Sequence, residues 1–136
     1  MERKAKFLVN SRYKKHFSIE EARAAIPVLR RHFTAVHRQR DRLQQADKAV
    51  AVELERTGGD LGGTKVAALL GAYQALQHGL LRISRMGVVI KDIDRGLVDF
   101  PHLRDGEEVF LCWELEEDDI EFWHDIESGY AGRERL

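Results

Sequence analysis

Positions Ile19, Ala22, Ile26, Leu29, Phe33, Val36, Arg40, Leu43, Asp47, Val50 and Leu54 follow one another at alternating steps of three and four. A mostly apolar seam of this kind, sustained over about five heptads, predicts one long amphipathic helix of coiled-coil type. Arg40 and Asp47 are its only charged members. Ser18 and Glu21 open the helix as a capping box, each side chain reaching the other's backbone N–H. Pro27 lies well inside it, removes a backbone donor and crowds the preceding turn, so a kink or break is expected near Ala24–Ile26. Gly58-Gly59 ends the helix near Arg56–Thr57.

Val66, Leu69, Tyr73, Leu76, Leu80 and Ile83 repeat the rhythm, with Thr64 as N-cap and Gly87 beyond the last turn. The glycine-rich connection predicts an antiparallel hairpin of the two helices. Pairing outward from the loop sets Asp47 near Tyr73 and Arg40 near Leu80. Polar residues in such a seam (Arg40, Asp47 and Tyr73) fix register and partner number. Asp47 is expected to accept from the Tyr73 hydroxyl or to face Arg40 of the partner subunit.

After Gly87 the period shortens to two. Val88–Ile93 reads as a strand, Asp94-Arg95-Gly96 as a turn, and Leu97–Phe100 as a second strand stopped by Pro101. Asp105-Gly106 turns into Glu107–Leu115. There Val109, Leu111, Trp113 and Leu115 share one face, and Phe110 and Cys112 the other. Ile120–Ile126 reads as a fourth strand. The fold class is α+β: a long antiparallel helical hairpin, then a small antiparallel meander of three to four strands covering its open end. Residues 1–16 form a basic extension. Residues 17–136 form one domain, with the hairpin at 17–86 and the meander and tail at 87–136.

Charge is nearly balanced in this 136-residue chain, 22 Lys and Arg against 23 Asp and Glu, which argues against a dedicated nucleic-acid binder. Mixed charge and 43% hydrophobic residues exclude a disordered chain. Cys112, the sole cysteine, excludes a disulfide framework and a cysteine-rich zinc site. The least charged stretch, Val66–Leu81, is too short for a bilayer span and is interrupted by Gln74, Gln77 and His78. A cytoplasmic protein with no membrane partner and no cofactor is expected. The Gly58–Lys65 loop superficially resembles a phosphate loop, but its Thr64-Lys65 order is reversed and a helix precedes it, so a nucleotide site is rejected.

Three polar or small-residue sets carry candidate function. Asp99, His102, His124 and Arg133 lie in or beside the strands, where carboxylate, imidazole and guanidinium together suit a metal or an anion. The competing expectation is a buried Asp–His or Asp–Arg pair that pins the C-terminal tail. Ala68, Gly71, Ala72, Ala75 and Gly79 form a stripe away from the seam, with no charge between Lys65 and Arg82. Close approach of a twin subunit along this stripe predicts a homodimer. The basic extension and the acidic run Glu114–Glu127 offer two poles of opposite sign for steering a partner.

The favoured reading is a non-enzymatic homodimeric interaction or scaffold protein with a protein partner still to be identified. The alternatives are a small-ligand or metal-binding protein using the strand cluster, and a nucleic-acid-associated protein using residues 3–15.

Several strings then carry a family likeness. They are Phe17-Ser18-x-Glu20-Glu21-Ala22, Ile26-Pro27-x-Leu29, and Val89-x-Lys91-Asp92-x-Asp94-x-Gly96-Leu97-Val98-Asp99-Phe100-Pro101. Val109-x-Leu111-Cys112-Trp113, Trp123-His124 and Gly129-Tyr130-Ala131-Gly132-Arg133 complete the set. Over Phe17 to Arg133 the chain resembles an uncharacterised prokaryotic family, domain of unknown function 2203. The resemblance implies no activity.

Overall fold

The computed structural model describes residues 11–59 and 63–136. Helix α1 (Ile19–Thr57) and helix α2 (Gly63–Arg85) are followed by a five-stranded antiparallel sheet in sequential order. Its strands are β1 (Val89–Asp92), β2 (Leu97–Arg104), β3 (Glu107–Trp113), β4 (Phe122–Asp125) and β5 (Glu134–Arg135). The architecture is α+β. The described residues fall into two compact units: one holds residues 11–30 together with Ile83–Leu136, the other the described part of Arg31–Arg82. No helix among the described residues is long and apolar enough to cross a membrane.

In the unit that contains the sheet, the capping box forms. The Ser18 N–H donates to Glu21 Oε1, and the Glu21 N–H to Ser18 Oγ, both at 3.0 Å. The expected break at Pro27 does not occur, and α1 runs unbroken through it. Pro27 and Arg23, whose carbonyl loses its helical donor to the proline, are both exposed, so water can replace the missing bond. Ala22, Ile26 and Leu29 are buried, as are Val98, Phe100, Val109, Leu111 and Trp113 on one face of the sheet. Phe17 meets Phe100 edge-on at 5.1 Å, and the Arg30 guanidinium lies over Trp113. This face is the apolar core.

Strand β2 does not stop at Pro101 but continues to Arg104. The β1 ladder ends at the Val89–Asp99 pair, so Pro101 turns its donor-less nitrogen to an edge. Its carbonyl on that edge accepts the Phe17 N–H at 2.7 Å. The Asp105-Gly106 turn is a two-residue hairpin with both residues at positive φ, 51° and 82°. β5 is a strand the sequence pattern did not reveal.

In the unit Arg31–Arg82 the two helices pack as the expected hairpin, and most of the seam holds: Phe33 and Val36 are buried, and Arg40, Leu43, Val50, Val66, Leu69, Leu76 and Leu80 are half-buried. Beyond Leu43 the half-buried positions of α1 are Ala46, Ala49, Val50, Glu53 and Thr57, while the seam members Asp47 and Leu54 are exposed. On α2 they include Ala72, Ala75 and Gly79, while Tyr73 is 50% exposed. Asp47 and Tyr73 therefore do not form the expected buried pair, and the Tyr73 hydroxyl accepts from Gln77 Nε2 instead. Arg40 is half-buried and pairs with Asp41 at 3.6 Å. Burying Asp47 among apolar side chains would cost several kcal/mol by desolvation, of the order given for an ion taken from water. Asp47 stays in water instead, and small residues (Ala46 and Ala49 on α1, Ala72, Ala75 and Gly79 on α2) are half-buried beside the seam.

The small stripe is divided: Ala72, Ala75 and Gly79 are half-buried, while Ala68 and Gly71 are exposed. A Cβ at Gly79 would stand 2.9 Å from Val36 Cγ2. Ala68, Gly71, Ala72 and Ala75 line a groove shared with Gln39, Arg42, Gln45 and Ala46. Most of the basic extension (residues 1–10) and Asp60, Leu61 and Gly62 of the connecting loop lie outside the described residues.

Candidate metal centre

The face of the sheet opposite the apolar core carries a compact polar cluster. Two-residue hairpin geometry places Asp99 directly opposite Cys112 in the β2–β3 ladder. In the next ladder Cys112 faces Phe122 and Phe110 faces His124, so His124 sits diagonally across from Cys112 on the same face. Asp99, Cys112 and His124 are 2%, 1% and 2% exposed. One ligand atom from each lies within 4.8 Å of the other two.

His124 is oriented by two hydrogen bonds. Its Nδ1 is 2.6 Å from the Asp125 carbonyl oxygen, which can only accept, so Nδ1 carries a proton. Its Nε2 lies 2.9 Å from Asp99 Oδ1. Burial alone pushes the imidazole pKa down. The bonds to Asp99, to Cys112 and to the Asp125 carbonyl outweigh it and raise the value to about 10. The ring is thus an imidazolium at neutral pH when only protons occupy the cluster.

Arg133 closes the cluster from the tail. Gly129 (φ 65°) turns the chain into a short 3-10 turn, Tyr130–Gly132, and Arg133 follows it. Its Nη1 lies 3.8 Å from Cys112 Sγ and 3.1 Å from Glu117 Oε1. Its guanidinium stacks 3.9 Å over Phe122 and 4.2 Å over Tyr130. Burial lowers the Arg133 pKa, but the bonds to Glu117 and Cys112 raise it on balance, so the charge is firmly held.

Of the residues singled out in the sequence, Asp99, His124 and Arg133 converge. His102 does not. It lies three residues from Asp99 and so on the opposite face of β2, where its Nδ1 is 2.6 Å from the Phe17 carbonyl oxygen. Cys112 joins the cluster as well, although a lone cysteine carries no pairing or ligand-spacing signal of its own. The register carries the signal: a two-residue turn at Asp105-Gly106 pairs residue 104 with 107 and, counting back, 99 with 112.

Part of the acidic run is paired within its own unit. Glu114 holds Arg95 at 2.6 Å and accepts from the Tyr130 hydroxyl, Glu117 holds Arg133, and Asp119 holds Arg23.

A protein-family model matches residues 15–136, almost the whole chain. No curated protein matches, and no solved structure matches.

Proposed function

The chain belongs to DUF2203, a family of uncharacterized conserved proteins, and we propose that it binds one divalent transition-metal ion of the zinc class through Asp99, Cys112 and His124. The observation that carries this reading is the placement of three different ligand atoms, all buried, within 4.8 Å of one another on three adjacent strands. A tetrahedral ion bound at about 2.0–2.3 Å wants donors about 3.3–3.8 Å apart, an adjustment that side-chain rotation can supply, with the 2.9 Å contact between His124 and Asp99 opening slightly. A mixed nitrogen, oxygen and sulfur set suits ions of intermediate softness rather than magnesium or calcium.

The surroundings support it. A metal-bound histidine commonly donates its other ring N–H to a carbonyl, as His124 Nδ1 does to Asp125, leaving Nε2 for the ion. Arg133 is placed to donate to the bound sulfur. Charge also balances: a dication displacing the Nε2 proton and the thiol proton leaves the net charge of the cluster unchanged. Burial therefore does not oppose the exchange. Three protein ligands leave a fourth position for water or another small donor.

Elemental analysis of the purified protein, followed by zinc titration of the stripped form, tests the reading. One equivalent per chain is expected, with affinity lowered at least tenfold by Cys112→Ser and by His124→Ala. A wild-type chain that is folded but retains and binds no zinc, cobalt or nickel overturns it.

Self-association as a homodimeric scaffold is a second reading. Leu70, Tyr73 and Leu81 are 58%, 50% and 47% exposed and fall on one line of α2. Light scattering of Leu70→Asp with Leu81→Asp tests it. A drop to the monomer mass supports the interface, and a wild-type monomer removes it.

A further inference from the structure

A groove of about 490 Å³ runs between the helices of the hairpin. Its walls and floor are unlike those of the metal cluster: Gln39, Arg42 and Gln45 on α1, and Ala68, Gly71 and Ala75 on α2. The volume falls within the range of small-molecule pockets, about 300–1,000 Å³. Helical periodicity extends both walls. Arg31, Arg38 and Arg42 stand at i, i+7 and i+11 on the α1 side, spanning about 16 Å, and all three are exposed. On the α2 side Gly71 and Ala75 are followed by His78 and Arg82 at steps of three and four, both exposed. Neither row contains an acidic residue.

We infer that this groove is a docking surface for single-stranded nucleic acid, its phosphates held by Arg31, Arg38 and Arg42 and a base seated over the Ala68–Gly71–Ala75 floor. Guanidinium forks match phosphate oxygens in pairs, and a row of three spread over three turns suits a repeating anion better than a single one. The amides of Gln39 and Gln45 supply donors and acceptors for base edges. No Cβ projects at Gly71, where the space is open, so a flat ring can approach the backbone. A groove of this volume takes one or two bases and is too small for a duplex.

Charge decides against a second copy of the chain in the same place. A two-fold interface sets the same patch against itself, and this patch would bring two arginine rows together. A polyanion instead exchanges released counterions for the same arginines.

Fluorescence anisotropy of a labelled single-stranded oligonucleotide with the full chain, over a salt series, tests the inference. Binding that weakens steeply with salt is expected. Arg38→Glu and Arg42→Glu should each lower affinity at least tenfold, while Lys48→Glu, an equal charge change outside the row, should alter it less than threefold. Circular dichroism checks that the helices persist in each variant. The inference is overturned if the wild type does not bind at low salt, if all three substitutions have equal effects, or if a duplex of the same length binds more tightly. It is also overturned if Gly71→Glu halves the solution mass, which would place a second copy in the groove. Zinc content is read in parallel and is expected to be unchanged in all these variants, so loss of either property is scored separately.

Discussion

His124 Nε2 reaches Asp99 Oδ1 across 2.9 Å although their strands are not neighbours: β3 runs between them, with Cys112 on the same face. The pair spans a strand because both side chains lean over it, and both are almost completely out of water. A charge pair held this way ties β4 and the tail to the front of the sheet. It also holds a proton where a cation would sit.

Removing one partner leaves the other buried and unpaired. In the metal-free chain, His124→Ala and Asp99→Ala are each expected to cost about 3–5 kcal/mol of folding stability. The double variant should cost clearly less than the sum of the two, because it leaves no stranded charge. Urea unfolding of the four forms measures this. Additive losses would mean that the two side chains do not stabilise each other.

Metal uptake should release protons. The exchange written for the cluster frees one proton from His124 Nε2 and one from Cys112, so zinc binding is expected to strengthen with rising pH and to weaken below neutrality. Calorimetry in two buffers of different ionisation enthalpy counts the protons, with at least the His124 proton expected near pH 7. The sign follows from the imidazole, whose pKa of about 10 means that its proton is present throughout the neutral range and must leave. A pH-independent affinity would contradict ligation by these two groups.

How far the sequence reached depended on what each element needs. The capping box, both helix ends and the Asp105-Gly106 turn rest on bonds between near neighbours, and they appear where their residues predict them. Pro101 failed as a stop signal because its meaning depends on whether a strand lies on its nitrogen side, a fact of tertiary structure. The seam holds at most positions but not at Asp47, Leu54 and Tyr73, which are exposed, for a related reason. Positions 46 and 47, or 72 and 73, satisfy the three-four rhythm nearly equally well, and the choice is made by desolvation of Asp47 and by how closely the two backbones approach. Within the cluster, Asp99 and Cys112 are paired by a local turn, but the long connection before β4 gives no register for His124.

Two helical glycines should respond oppositely to substitution. Gly71 has open space where a Cβ would stand, so Gly71→Ala is expected to stabilise by about 0.5–1 kcal/mol through helix propensity and a less flexible unfolded chain. At Gly79 a Cβ would press on Val36 Cγ2, so Gly79→Leu is expected to destabilise by about 1–3 kcal/mol through overpacking. Thermal and urea unfolding of both variants check this. A stabilised Gly79→Leu would mean that the helices do not approach as closely as 2.9 Å at this point implies.

Glu108 clamps the segment that precedes α1. Its carboxylate accepts the N–H groups of Arg12 at 2.9 Å and Tyr13 at 3.2 Å, and meets His16 Nε2 at 2.6 Å, while Tyr13 packs edge-on against Phe110. Burial raises the Glu108 pKa, but the bonds from His16, Arg12 and Tyr13 outweigh it and lower the value below that of an ordinary carboxyl. A depressed carboxyl stabilises the fold above its unfolded pKa, and that contribution is lost as pH falls through the folded value. The segment should therefore loosen only in acid, below about pH 4.5, the ordinary value for a glutamate. Glu108→Gln keeps the size but gives up the charge, and should loosen it at neutral pH. Trypsin cleavage at Arg12, Lys14 and Lys15 reads this directly, with faster nicking expected in Glu108→Gln at pH 7. Equal cleavage in the two proteins would show that Tyr13 on Phe110, rather than the carboxylate, holds the segment down.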